Sequence, residues 1–350
     1  MSFPTALPAS RIPPAMEAPA LRWGILGTGW IAEKFVQSVT AHTRQVIAAV
    51  GSRSQDGADA FAARWQVPAA YGSYEALVTA GDIDVIYVAT PHNLHHTHAL
   101  LALAAGKPVL VEKPAALNRM QAAEMIELAR QKELFFAEAL WSYFLPKFDV
   151  LEQIVASGTL GEIRSVYTDY GEYLPREHRI FDPNLAGGPL LDLGTYPVSL
   201  LTWLLGVPEQ LVGLGQQDPS GVNGQLAVVM ADAKGNQGTM ATTPYGFTPA
   251  NAVITGTQAS IWFDSEFHLP GGFTLRAREG DRVLRYEESR GAHFEGLYYE
   301  AAEVARCIAA GSYETPKRRW TATLDTMATL DMIRRSIGIN FTAAGLGENA

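Results

Sequence analysis

Three shortages in this 350-residue sequence each exclude a class of protein. It has one cysteine, Cys307, so it forms no internal disulfide and no cysteine-rich zinc site. Lys and Arg total 27 against 36 Asp and Glu, for a net charge of -9, and the one compact basic cluster is Lys317-Arg318-Arg319. Nucleic acid is therefore not an expected partner. No apolar run approaches the roughly 18 residues that span a bilayer, so no membrane association is expected.

The composition is that of a globular protein, with 47% hydrophobic and 18% charged residues. The length predicts about two domains. Residues 1–20 are rich in Pro and Ala and lack the apolar core of a signal peptide, which predicts a flexible N-terminal arm and a cytoplasmic location. Cys307 lies in a helical pattern and is expected to be a buried thiol.

Residues 21–140 alternate between strand and helix patterns. The alternation predicts an α/β domain with a doubly wound parallel sheet. Predicted strands cover 22–26, 45–50, 83–89, 109–111 and 134–137, and predicted helices cover 31–40, 56–65, 94–105 and 122–132.

Residues 141–340 have a different pattern, in which short strand-like runs follow one another between turn residues. They predict a second, α+β domain with a large, mainly antiparallel, open-faced sheet, for substrate binding and oligomerisation. Predicted strands cover 164–170, 225–231, 238–243, 252–255, 261–264, 273–278 and 283–286, and predicted helices cover 147–157, 297–310 and 322–337.

A glycine-rich turn follows the first predicted strand and opens the first helix. The run Gly27-Thr28-Gly29-Trp30-Ile31-Ala32 fits the G-x-G-x-x-[GA] pattern of dinucleotide-binding Rossmann domains. Its glycines allow a tight turn and let the backbone approach a pyrophosphate, which the helix N-terminus binds. Gly27, Thr28, Gly29, Trp30 and Ile31 are therefore candidate cofactor-binding residues.

The end of the second strand bears on the choice of cofactor. NAD-specific domains carry an acidic residue about 20 residues after the glycine turn, but this sequence has Ser52-Arg53-Ser54 there. Arg53 is suited to bind a 2′-phosphate, assisted by both serine hydroxyls. NADP is therefore the predicted cofactor, with NAD possible.

Two later segments carry candidate catalytic groups. Glu112-Lys113-Pro114 places a lysine at the carboxyl end of a strand, where ligands of open α/β sheets bind. In Gly187-Gly188-Pro189-Leu190-Leu191-Asp192-Leu193-Gly194-Thr195-Tyr196, the last tyrosine follows Asp192 by four residues, which predicts that both lie on one helical face.

With the glycine turn, these segments resemble the glucose-fructose oxidoreductase / inositol dehydrogenase / rhizopine-catabolism (Gfo/Idh/MocA) oxidoreductase superfamily, over residues 21–340. Tyr196, and the run from Glu138 to Pro146, are similar to the subgroup of dimeric dihydrodiol dehydrogenases, NADP-dependent D-xylose dehydrogenases and glucose-fructose oxidoreductase. Tyr143 stands where several relatives have arginine. The resemblance implies that Thr90, Pro91, His95, Glu112 and Lys113 border the cofactor.

The chemistry of alcohol oxidation assigns the catalytic roles. A hydride leaves the carbon and a proton leaves the hydroxyl group, so a base is needed. A free tyrosine has a pKa near 10, which a neighbouring ammonium lowers. We therefore expect Tyr196 to be the general acid/base, Lys113 to polarise the substrate oxygen, and Asp192 to orient Lys113 or a substrate hydroxyl.

Weaker candidates surround this set. Trp141, Tyr143, His178, Arg179 and Phe181 are candidate substrate residues, although a surface position is an equal alternative for the His178–Phe181 loop. His92, His95, His96 and His98 lie close together in sequence, but the pattern lacks other metal ligands, so we predict no metal.

The sequence thus predicts an NADP-dependent oxidoreductase acting on a sugar, polyol or trans-dihydrodiol, with an aldose such as D-xylose or D-glucose as first choice. Two alternatives remain: reduction of a keto sugar or dicarbonyl at the same site, and a non-catalytic protein that senses NADP or a sugar. The apolar alternation of the later strands, together with the resemblance, predicts a homodimer or homotetramer formed through the C-terminal sheet.

Overall fold

The computed structural model describes residues 3–264, 266–289 and 294–339. The chain divides into two compact units. We call Pro13–Phe144 with Gly291–Thr323 the first unit, and Met1–Ile12 with Leu145–Arg290 and Leu324–Ala350 the second unit. The first unit thus takes in residues 291–323, which the sequence prediction placed in the second domain.

Helices occur in both units and alternate with strands in the first half of the chain. They are α1 (Trp30–His42), α2 (Gln55–Trp65), α3 (Tyr74–Thr79), α4 (His95–Ala104), α5 (Arg119–Gln131), α6 (Pro146–Ala156), α7 (Pro189–Asp192), α8 (Thr195–Leu205), α9 (Tyr298–Ala309) and α10 (Trp320–Ser336).

A six-stranded parallel sheet with the order β3-β2-β1-β4-β5-β6 forms the centre of the first unit. Its strands are β1 (Arg22–Leu26), β2 (Val46–Gly51), β3 (Ala69–Tyr71), β4 (Val85–Val88), β5 (Val109–Glu112) and β6 (Phe136–Ala139). Strands β4, β5 and β6 are buried along their whole length, as expected when both faces of a sheet are covered. The predicted doubly wound sheet is confirmed. Its strand order reverses between β1 and β4, the crevice where such sheets bind ligands.

An eight-stranded sheet with the order β14-β13-β12-β11-β7-β10-β9-β8 forms the second unit. Its strands are β7 (Ile163–Gly171), β8 (Gln210–Gln217), β9 (Asn223–Ala231), β10 (Gln237–Thr243), β11 (Ala252–Gly256), β12 (Ala259–Phe263), β13 (Phe273–Ala277) and β14 (Val283–Tyr286). Strands β7 and β10 pair in parallel and every other neighbouring pair is antiparallel, which confirms the mainly antiparallel prediction.

The two faces of this second sheet have different surroundings. Helix α8 packs on β7 and β10, and the side chains on its face, such as Val166, Val228 and Met240, are buried. On the opposite face Tyr167, Val229 and other large apolar side chains are exposed. The sheet is therefore open on one side, as the alternating strand pattern predicts.

The described part of the N-terminal arm makes contacts in each unit. In the second unit, Arg11 forms an ion pair of 2.9 Å with Asp149, a carboxylate with no exposed side-chain surface. In the first unit, Ala15 and Ala18 pack against Ala302 and Ala305 of α9. An arm rich in alanine and proline is too short of large apolar side chains to form its own core. Its small side chains can still pack closely against the alanines of α9.

Two further expectations concern Cys307 and the membrane. Cys307 is buried in α9 as expected, and burial raises the pKa of its thiol to about 12. Within the part of the chain that the structure describes, none of the helices has both the length and the apolar character that crossing a bilayer requires.

Candidate active site

The predicted glycine turn connects β1 to α1 in the first unit. Gly27 has a φ of 109°, and a Cβ added there would lie 2.8 Å from the carbonyl oxygen of Ala89. Gly29 is the N-cap of α1, and the backbone there is exposed. The turn therefore presents free N–H groups and the positive end of a helix dipole, the arrangement that binds phosphate.

Ser52, Arg53 and Ser54 follow β2 as predicted. The Ser54 hydroxyl oxygen caps α2 by accepting from the Gly57 amide at 3.2 Å. Arg53 is exposed and forms no ion pair with a described carboxylate, although its charge opposes the burial that raises the pKa of Tyr74. The guanidinium is therefore available to an anionic ligand.

His95 joins the ends of two neighbouring strands. Its Nδ1 lies 2.8 Å from the carbonyl oxygen of Pro114 after β5, and its Nε2 lies 2.8 Å from that of Thr90 after β4. The ring is buried. His95 therefore fixes the spacing of the backbone segments after β4 and β5, which contain residues that the resemblance implies border the cofactor.

The other histidines of this segment have separate partners. His98 bonds the hydroxyl of Thr90 at 3.0 Å, and His96 pairs with Glu124 at 2.7 Å. No group of three or more His, Cys, Asp or Glu side chains converges as a metal site among the described residues.

Lys113 follows β5 directly, at the carboxyl end of the sheet, as predicted. The preceding carboxyl group of Glu112 accepts hydrogen bonds from the Tyr87 hydroxyl and, at 3.1 Å, from the Lys113 amide. Burial raises the pKa of Glu112, and the bond from Tyr87 opposes this. Glu112 therefore bonds the backbone of the candidate catalytic residue from inside the core.

Glu138 of β6 anchors the same turn from its other side. One of its oxygens accepts from the Ala115 amide at 3.0 Å. The other accepts from Arg318 at 2.8 and 3.0 Å and from the Thr323 hydroxyl at 3.0 Å. The side chains of Glu138 and Arg318 are 0% and 1% exposed, so this ion pair is fully desolvated. Lys113 is thus held between two buried carboxyl groups that bond its own and a neighbouring amide.

A third carboxyl group, Glu300 at the start of α9, is fully buried and makes no hydrogen bond to the residues that the structure describes. Burial, and secondarily the charge of Glu112, raise its pKa well above the ordinary value. Two carboxyl groups in the same dry region favour the neutral form of at least one of them.

Aromatic rings line the first unit next to β6 and the glycine turn. Trp141 stacks on Phe294 with ring centres 5.7 Å apart, and Phe294 meets Trp30 edge-on at 4.7 Å. Trp30 is 57% exposed, so this row reaches the surface. Tyr143 is buried, with its ring 5.1 Å from the Arg318 guanidinium carbon.

Asp192 and Tyr196 belong to the second unit and lie on two helices rather than one. Helix α7 ends at Asp192, and α8 begins at Thr195 after the Leu193-Gly194 link. The four-residue spacing predicted one helix, so this prediction was wrong, although Leu193 and Gly194 both keep right-handed helical dihedral angles. Asp192 bonds Arg179 through both carboxylate oxygens, at 2.8 and 3.0 Å, so two predicted site residues pair with each other.

Tyr196 sits in a cluster of rings that sequence reasoning missed. Its ring centre lies 4.7 Å from His268 and 5.8 Å from Tyr170. The Tyr170 hydroxyl donates to Glu172. Burial, then the charges of Glu172, Tyr196 and Asp192, raise the pKa of Tyr170 well above 10. Tyr196 therefore has titratable neighbours that come from two other segments of the chain.

Phe181 lies in a second cluster of the same unit. Its ring stacks on Tyr245 at 6.2 Å, and the Arg176 guanidinium lies 4.9 Å from its centre. Asp218, which has no exposed side-chain surface, accepts from Arg176 and Tyr245 at 2.5 Å each. These bonds outweigh burial and hold the pKa of Asp218 below its usual range.

The structure therefore groups the predicted residues into two sets. The first unit holds the cofactor candidates, Lys113, Trp141 and Tyr143. The second unit holds Tyr196 beside Asp192, Arg179 and His178. No local motif pointed to Glu300, His268 or Asp218, because pairing between distant strands and helices places them there.

Family comparisons agree with this division. Residues 21–139 match a family described as "Oxidoreductase family, NAD-binding Rossmann fold", and residues 148–262 match "GFO/IDH/MocA C-terminal domain". Trans-1,2-dihydrobenzene-1,2-diol dehydrogenase from Mus musculus is 32% identical over 332 residues, covering 92% of this chain and 98% of the relative. The Bos taurus enzyme of that name is 32% identical over 329 residues, with the same coverage of both chains.

Solved structures share the fold at lower identity. Levoglucosan dehydrogenase in complex with NADH and levoglucosan superimposes with a TM-score of 0.81 at 19% identity, covering 91% of this chain and 98% of that one. A 3-ketoreductase from Actinomadura kijaniata in complex with NADP gives 0.80 at 23% identity, with the same coverage.

The buried carboxyl group of Glu300 predicts a pH-dependent stability. Its raised pKa means that the folded state holds the proton more tightly than the unfolded chain, whose glutamate pKa is about 4.3. Stability due to this group is complete below that value and falls as pH rises, by up to about 1.4 kcal/mol per pH unit until the folded pKa is reached. Glu300→Gln is therefore expected to gain stability relative to the wild type between pH 5 and pH 8.

Chemical denaturation at several pH values measures this effect. Glu127→Gln, on the exposed surface of α5, is the control and is expected to follow the wild type. A constant difference between Glu300→Gln and the wild type across that range would contradict the assignment.

Proposed function

The chain belongs to the GFO/IDH/MocA family of oxidoreductases, and from that premise we propose that it uses NADP to oxidise a hydroxyl group of a cyclic substrate with vicinal hydroxyls, such as a trans-dihydrodiol or a pyranose sugar. The observation that carries the proposal is that the chain has both Lys113, at the carboxyl end of β5 in the first unit, and Tyr196, among titratable side chains in the second unit. A purely regulatory role does not need both groups.

The chain's own residues account for proton movement in this reaction. A bound nicotinamide supplies the hydride acceptor. Tyr196 takes the hydroxyl proton through its phenolic oxygen, and the Lys113 ammonium favours the negative charge that develops on oxygen. Glu112 and the Glu138–Ala115 bond keep the lysine at the end of β5. In the reverse direction the same phenol returns the proton, so carbonyl reduction uses the same groups.

The first unit's surface fits a dinucleotide with a 2′-phosphate. The glycine turn has no side chain where the pyrophosphate approaches, and α1 presents its N-terminal amides there. Arg53 has no carboxylate partner among the described residues and stands where NAD-specific domains place an acid. These features favour NADP over NAD.

The aromatic row favours a flat or ring-shaped substrate. Trp30, the 57% exposed member of the row, offers a ring face on which a cyclohexadiene or a pyranose can pack. The relatives' name, trans-1,2-dihydrobenzene-1,2-diol dehydrogenase, describes a substrate of the first type. Levoglucosan, in the name of the structural neighbour, is a sugar of the second type.

The open face of the second sheet supports assembly with a second copy. The strand register places Val212, Val229, Thr239, Tyr167, Val253 and Trp262 in one row across six strands. Val212 is 76% exposed, and Val229, Tyr167 and Trp262 are 45–50% exposed. An apolar row of this kind can pair with itself about a two-fold axis, so we propose a homodimer through this face.

Removing the Tyr196 hydroxyl tests the acid/base role. Tyr196→Phe is expected to lower kcat about 10²–10⁴-fold in NADP reduction assays with sugars and diols. Lys113→Met is expected to lower it too, and the double variant should lose less than the product of the two losses, because both groups act on one oxygen. Tyr313→Phe, at an exposed surface tyrosine, is the control. Near-full activity of Tyr196→Phe would refute the role.

Cofactor preference tests Arg53. Arg53→Ala is expected to raise the KM for NADP about 10- to 100-fold, since charge-assisted bonds contribute roughly 1.5–3 kcal/mol, with a much smaller change for NAD. Arg64→Ala on α2, whose partner is Glu33, is the control. A wild type that prefers NAD, with Arg53→Ala showing the same preference, would contradict the assignment.

The oligomeric state tests the sheet face. Light scattering after size exclusion is expected to give a dimer for the wild type and a monomer for Tyr167→Lys/Val229→Lys, because two buried ammonium groups oppose the pairing. Val46→Lys, at an isolated exposed valine, should remain dimeric. A monomeric wild type at micromolar concentration would exclude this interface.

A further inference from the structure

The loop between β7 and α7 fixes the tautomer of His178. The residue caps the 3-10 turn Arg179–Phe181, and its Nδ1 accepts a hydrogen bond from the Ile180 amide at 3.2 Å. A ring nitrogen that accepts carries no proton, so the N–H of a neutral ring lies at Nε2. That N–H has no partner among the described residues.

The surroundings of His178 favour the neutral ring. Partial burial, then the adjacent Arg179 cation, lower its pKa, and the charges of Asp192 and Glu172 only partly oppose this. Protonation would also place a second N–H at Nδ1, facing the Ile180 amide. At neutral pH His178 therefore offers one uncharged donor.

The loop that carries His178 is held on both sides. Arg176, two residues before it, bonds the buried carboxylate of Asp218 at 2.5 Å. Arg179, directly after it, bonds both oxygens of Asp192 at 2.8 and 3.0 Å. A donor fixed in this way loses little conformational entropy when it binds an oxygen atom.

The position of His178 links it to the chemistry proposed for Tyr196. Asp192 pairs with Arg179 next to His178, and its charge also acts on Tyr170, whose ring packs beside Tyr196. The charge of Glu172 likewise acts on both His178 and Tyr170. A neutral N–H suits a hydroxyl or carbonyl oxygen.

We infer that His178 is a specificity-determining residue that donates its Nε2 hydrogen to the oxygen adjacent to the reacting carbon, so that the enzyme selects vicinal diols and α-hydroxy carbonyl compounds over simple alcohols. This inference rests on the proposed function and adds a substrate-recognition group to it. A substrate without the second oxygen leaves the donor unpaired, which is how hydrogen-bonding sites reject analogues.

A matched pair of substrates tests the inference. The ratio of kcat/KM for trans-cyclohexane-1,2-diol to that for cyclohexanol is measured with NADP for the wild type, His178→Phe and His178→Gln. His178→Phe is expected to lower the ratio about tenfold, mainly through the KM of the diol, because the bond is present in the ground state as well. His178→Gln retains an N–H donor and should restore most of the ratio. His96→Phe, at a histidine paired with Glu124 on the first unit, is the control.

Each outcome separates the inference from the proposed function. A ratio that His178→Phe leaves unchanged, or that His178→Gln lowers equally, overturns the inference while the oxidoreductase function stands. A wild type that oxidises neither compound, nor any sugar or dihydrodiol, overturns the proposed function instead. Nitrogen-15 NMR of the wild-type histidines gives a readout that is independent of turnover. Protonation of His178 at Nδ1 near pH 7 would overturn the tautomer assignment. A shift of its Nε2 signal on adding the diol would support the contact.

Discussion

The backbone position of the candidate catalytic lysine, Lys113, depends on the buried carboxylate of Glu138. Removing a carboxylate from water costs several kcal/mol, and only a full set of donors offsets that cost. Glu138 obtains its donors from Ala115 and from Arg318 and Thr323, which belong to two segments far apart in the sequence. Satisfying this single charge therefore fixes the backbone two residues after Lys113 and joins the end of the parallel sheet to the segment before α10.

Ion pairs of buried carboxylates also position candidate substrate-binding residues in the second unit. Asp192 and Asp218 are carboxylates of low exposure, and each binds an arginine of the loop between β7 and α7. These pairs determine where His178 lies, and the charge of Asp192 also acts on Tyr170, whose ring packs beside Tyr196. Burial of the apolar side chains under α8 stabilises the second unit, and the ion pairs fix the position of the loop that carries His178.

Local patterns were sufficient to predict most of the main elements and the places in the fold of several candidate site residues. The Gly27 turn, the Lys113 strand end and the strand composition of the second half each have a signal within a few neighbouring residues. Strand β3 and helix α3 were missed because three or six residues carry too little periodicity, and the eight-residue strand β8 was missed as well. The single helix expected for Asp192 and Tyr196 was wrong because the Gly194 link separates two helices.

Long-range contacts could not be predicted in this way. Glu138 begins a run of residues that resembles one family subgroup. Nothing in its local sequence indicates an ion pair with Arg318, which lies 180 residues later. His268 and Glu300 likewise reach their positions through strand pairing and helix packing. The contacts of the N-terminal arm with α9 and with Asp149 likewise depend on surfaces formed by the rest of the chain.

The account's central claim is that a hydride passes directly from a substrate CH–OH carbon to nicotinamide. Mass spectrometry of the reduced cofactor, after turnover of NADP with D-xylose deuterated at C1 and with a trans-dihydrodiol deuterated at its carbinol carbons, tests it most directly. The account predicts one deuterium in NADPH from at least one of these substrates, with a slower rate for the labelled compound. Deuterium released to water, or no cofactor reduction with either class, would contradict it.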